Sequence, residues 1–134
     1  MATGLENLWI YKLAEDLEIK VHELTKKFPK DEIFRSVDQI RRSSASVANN
    51  IAESYHKKSI KDKESSLTIS KGEAEETKRN ILKSARKFFI AHDIASNIAD
   101  QYTVLLKGTN AYIRFIKLDE LKKQHKEDKK PSTD

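Results

Sequence analysis

The chain has 134 residues, 37% of them apolar and 35% charged, with only three glycines and two prolines, too few turn formers for an extensive sheet. At this length it is one domain, able to bury roughly two-thirds of its unfolded surface. No cysteine is present, which excludes disulfides and thiolate metal sites, and the longest apolar run, Phe88-Phe89-Ile90-Ala91, is far too short to cross a membrane. The net charge of +5 is compatible with an anionic partner without requiring one. The amino-terminal stretch has acids at Glu6, Glu15 and Asp16 and no basic-then-apolar signal pattern, so the expected location is the cytoplasm.

Leu13, Leu17, Val21, Leu24 and Phe28 recur at spacings of four and three, which predicts a first helix from Leu8 to Lys26. Pro29 ends it, because proline lacks the backbone donor and disfavours helix at the preceding residue. A second helix is expected to begin near Asp31, a capping residue, with Ile33/Phe34, Val37, Ile40, Ser44, Val47 and Ile51 as its stripe. Its half from Ser43 to Ala52 is built of poor helix formers and needs support from outside itself. Arg41, Ala45, Ala48 and Ala52 share a line along which another helix can come close. Tight packing inside the bundle is the favoured reading of that line, and a subunit interface is the other.

Ser59 is placed to cap a third helix, Ile60 to Ile90, in which Ile60, Leu67, Ala74, Ile81 and Phe88 repeat every seven residues. Gly72, inside it, is expected to mark close contact with a neighbouring helix. Ile98, Tyr102, Leu105, Thr109, Tyr112 and Ile116 predict a fourth helix from Ser96 to Lys122, with Gly108 in its interior. Beyond Lys122 the apolar stripe stops and a disordered charged tail is expected. The organisation is therefore a bundle domain over 1–121 and a tail over 122–134. Short connections make the fold an all-α, antiparallel, up-and-down four-helix bundle.

Catalytic patterns are missing. A di-metal carboxylate bundle needs Glu-x-x-His on two helices, and only Glu53-Ser54-Tyr55-His56 has that spacing. The four histidines lie more than thirty positions apart, and neither a nucleophile elbow nor a glycine-rich phosphate loop is present. Glu73, Glu75 and Glu76 sit among Lys71, Lys78 and Arg79 and read as a solvated face. The expectation is a protein that is not an enzyme and uses no metal or cofactor.

The basic residues are more informative. Arg79, Lys83 and Arg86/Lys87 step by four and three along one face of helix three; Lys57, Lys58, Lys61 and Lys63 cluster at the turn before it; Arg41 and Arg42 are adjacent on helix two. Cations in such rows neutralise phosphates, the main source of sequence-independent nucleic-acid affinity. Asp62, Glu64, Glu75 and Glu76 interleave with them, and a solvated face accounts for the pattern equally well. No aromatic platform or recognition helix is visible, so sequence-specific reading is not expected.

Leu24-Thr25-Lys26-Lys27-Phe28-Pro29, Phe34, and the run from Gln39-Ile40-Arg41-Arg42 through Asn49-Asn50-Ile51-Ala52-Glu53 resemble a bacterial four-helix-bundle family. Its members include proteins encoded in intervening sequences of 23S ribosomal RNA genes, often labelled S23 ribosomal protein. Gly72 and Glu76 also match, and the resemblance extends over about residues 5–116. It breaks at Ser54, where glycine is usual, which leaves the turn after helix two open. The resemblance implies a homopentamer without established enzymatic activity. A distantly related group, the accessory variability proteins of diversity-generating retroelements, forms basic pentameric barrels that bind nucleic acid and a reverse transcriptase. The expected role is thus a non-enzymatic oligomer that binds RNA or DNA without sequence preference. A protein-interaction module whose charge serves solubility is the alternative.

Overall fold

Three breaks in the apolar periodicity, after Thr25, at 57–59 and at 87–91, divide the chain into four antiparallel helices. The structure is a computed structural model that describes residues 4–129, and no strand occurs among them. Helix α1 spans Trp9–Thr25, α2 Asp38–His56, α3 Ile60–Arg86 and α4 His92–Asp128. Successive helices pack against one another, and α1 also meets α4. The expected apolar stripes fill the core: Leu17 and Val21 from α1, Ile40, Val47 and Ile51 from α2, Leu67, Ala74 and Ile81 from α3, and Ile98, Tyr102 and Leu105 from α4.

The second helix does not start at Asp31. Pro29 holds an extended backbone, and the chain returns through a 3-10 turn, Lys30–Glu32, and a wide π turn, Ile33–Val37, before α2 begins. Glu32 rather than Asp31 ties this turn together. Its carboxylate accepts from the Ser36 hydroxyl at 2.7 Å and from the Ser36 amide at 3.4 Å. The hydroxyl bond in particular holds the Glu32 carboxyl below the usual carboxylate range. Ser59 caps α3 as its position predicts, its Oγ accepting the Asp62 amide at 3.1 Å. Lys63 reaches back and donates to the carbonyls of Ser54 (3.1 Å) and Tyr55 (3.2 Å), placing a cation on the negative end of α2.

Helix α3 stops at Arg86, short of the predicted Ile90. The Phe89 amide donates to Ser84 O at 2.9 Å and the Phe88 amide to Ala85 O at 3.0 Å, closing the helix with Phe88 in the left-handed region at φ 64°. Helix α4 begins earlier than predicted and continues past Lys122 to Asp128. Lysine and glutamate are good helix formers, Lys123 pairs with Asp119 at 3.2 Å, and no proline intervenes before Pro131. Residues 122–128 are therefore an exposed helical extension, and 130–134 of the predicted tail lie outside the described residues.

The poor helix formers of α2 find their support in α3. Ser43 Oγ and Thr77 Oγ1 lie 2.6 Å apart between the two helices, and Ser70 Oγ donates to Val47 O at 2.8 Å. Ser44, Ser54, Ser66 and Ser84 are buried along with them. Ser54, the departure from the family pattern, lies inside α2 with its hydroxyl on Ile51 O at 2.7 Å. No special backbone conformation is needed there, so serine fits. Ala48 is buried in the core, which favours internal packing for the alanine line.

The two interior glycines differ. A Cβ added to Gly108 would lie 2.2 Å from the Trp9 ring, so this glycine lets the start of α1 cross closely over α4. Around Gly72 nothing lies within 4 Å of an added Cβ, and the expected close helix contact within the chain is absent. Gly108→Ala should displace the half-exposed Trp9 ring, the only tryptophan. Its emission should shift to the red, while the melting temperature moves little because alanine regains about 1 kcal/mol of helix propensity.

Candidate nucleic-acid interface

The cations singled out in the sequence do not form one surface, and Lys63 leaves the turn cluster because it is spent on the last carbonyls of α2. Arg41 is half-buried and structural: its Nε donates to Thr25 Oγ1 at 2.9 Å and a terminal nitrogen to His22 O at 3.5 Å, fastening α2 to the last turn of α1. Among the described residues it forms no ion pair. Arg42 is exposed but lies 3.6 Å from Asp38, on a polar groove of about 350 Å³ that Glu73 and Glu76 also line. Burial, and then repulsion from Glu76, raise the Glu73 carboxyl above its usual range, as expected of an acid-rich groove. Phosphate has little reason to approach there.

Lys57, Lys58 and Lys61 are exposed at the α2–α3 turn, with Lys57 on Glu53 at 3.1 Å. Arg79, Lys83 and Arg86 are exposed on the outward face of α3 near the opposite end of the bundle, and none forms an ion pair among the described residues. Eighteen residues separate Lys61 from Arg79, a rise of about 27 Å along the helix. Ser65, Thr68, Gly72 and the exposed Glu75 occupy the outward line between them, so the basic surface is two patches separated by an interval that carries an acid. The patch of Arg79, Lys83 and Arg86 is the better phosphate surface, because its charges are unspent.

Two residues beside this patch were read wrongly from the sequence. Phe34 and Phe88, both assigned to apolar stripes, are 91% and 86% exposed. Each stands next to another large apolar residue close to a chain break: Phe89 packs on the core in place of Phe88, whereas Ile33 is itself exposed beside Phe34. That adjacency is the signal that could have identified them.

For metal chemistry the arrangement offers nothing: among the described residues no group of three or more His, Asp or Glu is placed to hold an ion. Glu53 is taken up by Lys57, and His56 is exposed beside the Tyr55 ring. No helix of the described residues is long and apolar enough to cross a membrane.

The two neighbouring arginines of α2 should respond oppositely to truncation. Arg41→Ala should cost about 1–2 kcal/mol in urea unfolding, because it removes charge-assisted bonds between helices. Arg42→Ala should change stability by less than about 0.5 kcal/mol, as an exposed i,i+4 pair does.

No curated protein sequence matches the chain. The sequence model for 23S rRNA-intervening sequence proteins matches residues 6–111, which covers all of α1 to α3 and α4 as far as Ala111. The chain belongs to the 23S rRNA-intervening sequence protein family.

Proposed function

We propose that this protein is a non-enzymatic oligomer that binds nucleic acid, RNA or DNA, without sequence preference, through the outward face of α3. The observation behind this reading is the row Arg79, Lys83 and Arg86: three exposed cations at helical spacing with no carboxylate partner. Seven residues place the row over about 10 Å, a span suited to successive phosphates of one strand.

Assembly is supported by a second face. Val104, Ala111, Phe115 and Leu118 recur at intervals of seven, four and three on the outward side of α4, and all four are exposed. An exposed apolar row of this kind, broken by Lys107 between Val104 and Ala111, is costly in a lone chain and favours a partner. The family resemblance makes a cyclic homopentamer the assembly of choice, in which each copy repeats the basic row around the ring.

Reversing Arg79, Lys83 and Arg86 to glutamate should lower affinity for both RNA and DNA at least about tenfold in anisotropy titrations at low salt. The melting temperature should stay within a few degrees of wild type, because the three side chains point to solvent. Unchanged affinity in the folded variant would leave the charge to solubility and favour a protein-interaction module. In parallel, Phe115→Glu with Leu118→Glu should convert the assembly to monomer by sedimentation velocity. A wild-type monomer at micromolar concentration would remove the oligomer from the proposal.

A further inference from the structure

The end of the bundle where the α1–α2 and α3–α4 connections meet exposes two phenylalanine rings. Phe28 and Phe89 join the connections from beneath, their ring centroids 5.4 Å apart, and Lys87 lies close enough to Glu32 to lower its pKa. Phe34 and Phe88, one on each of these connections, are the most exposed of the large apolar side chains. Neither is left out by accident of packing alone. Phe88 occupies the left-handed position that ends α3, where glycine is the residue without strain, and a bulky side chain there is a conformational outlier. Phe34 rides on the π turn that the Glu32–Ser36 bonds hold in shape.

The rings stand in a cationic field. Lys27, Lys30, Arg35, Lys83, Arg86 and Lys87 lie on these connections and the adjoining helix ends, and none makes an ion pair among the described residues. The acids there are Glu23, Asp31, Glu32, Asp38 and Asp93; Glu23 is paired with Lys26, Asp38 with Arg42, and Glu32 is occupied by Ser36. Between the last turn of α1 and the π turn a cavity of about 250 Å³ opens, bounded by Phe28, Pro29 and Ile33 with Lys30 at its edge. Aromatic faces amid unpaired cations match a strand whose bases are free to stack and whose phosphates need neutralising. A duplex hides those base faces. A second copy docking end to end would bring two positive ends together, which the charge opposes.

We propose that this end of the bundle binds single-stranded nucleic acid, stacking unpaired bases on Phe34 and Phe88 while Lys30, Arg35, Arg86 and Lys87 neutralise the flanking phosphates. The proposal rests on the nucleic-acid reading above and adds to it a preference for unpaired strands. Arg79, Lys83 and Arg86 then form a track that leads a strand to the platform.

The test compares a labelled oligouridine of about 12 nucleotides with an RNA duplex of equal length, by anisotropy on the full chain. Phe34→Ala with Phe88→Ala should weaken single-strand binding at least about tenfold and leave duplex binding unchanged, whereas Phe34→Trp with Phe88→Trp should retain it. Phe88→Gly provides a control against misfolding. It should keep or raise the melting temperature by relieving the left-handed strain, yet still lose single-strand affinity. Equal loss on both substrates, or no loss in a folded alanine variant, would overturn the platform. So would dissociation of the oligomer by the alanine pair, which would assign the rings to a second copy. If wild type binds duplex but not oligouridine, the platform falls while the broader reading stands; if it binds neither at low salt, both fall.

Discussion

Close approach of α2 to α3 is the constraint on which the rest of the molecule depends. It is made by small hydroxylated side chains: Ser43 against Thr77, Ser70 on the Val47 carbonyl, with further buried serines on both helices. A hydroxyl buried without a partner costs more than its hydrogen bond gains, so each of these must be satisfied for the seam to close. The pairing also answers a local weakness. The serines, asparagines and valine of α2 give little intrinsic helicity, and tertiary contact supplies what propensity does not. Helix α1 is then fastened by Arg41, and α4 packs chiefly along α3 and more lightly on α1, where Trp9 crosses Gly108.

Once the small faces of α2 and α3 are committed to each other, the opposite faces are committed to solvent. This fixes where the charge can act. Arg41 is spent on structure and Arg42 on an acid-lined groove, which leaves the outer row of α3 as the exposed cationic surface on that side. The row ends at the bundle tip where Phe34 and Phe88 stand clear of the core. The apolar row of α4 lies on a separate helix, so assembly and strand binding need not compete for one surface. A ring of copies would multiply weak phosphate contacts into a useful avidity.

Much of this was legible in the residues. Leu67, Ala74 and Ile81 declare the buried face of α3, and Ile98, Tyr102 and Leu105 that of α4, because burial on one helical side imposes its period on the sequence. Ser59 and Pro29 mark boundaries through backbone chemistry that depends on nearest neighbours alone. What escaped were features set by tertiary geometry. Phe34 and Phe88 continue the periodic stripes on paper, but the chain leaves the α-helical path around each of them, and the period has no meaning there. The role of Arg41 depends on where the end of α1 lies, sixteen residues away, which no local pattern encodes. The reach of α4 beyond Lys122 leaves no apolar stripe to mark it, because charged helix formers extend a helix without any core.

The central claim is that unpaired cations on the outer face of α3 bind the phosphates of nucleic acid. Its most direct measurement is the salt dependence of the wild-type affinity for single-stranded RNA and duplex DNA. Released counterions should make log K fall linearly with log salt, with a slope of at least about −2 if the three cations of one row engage phosphates. A slope near zero, or no binding at the lowest salt, would contradict the account.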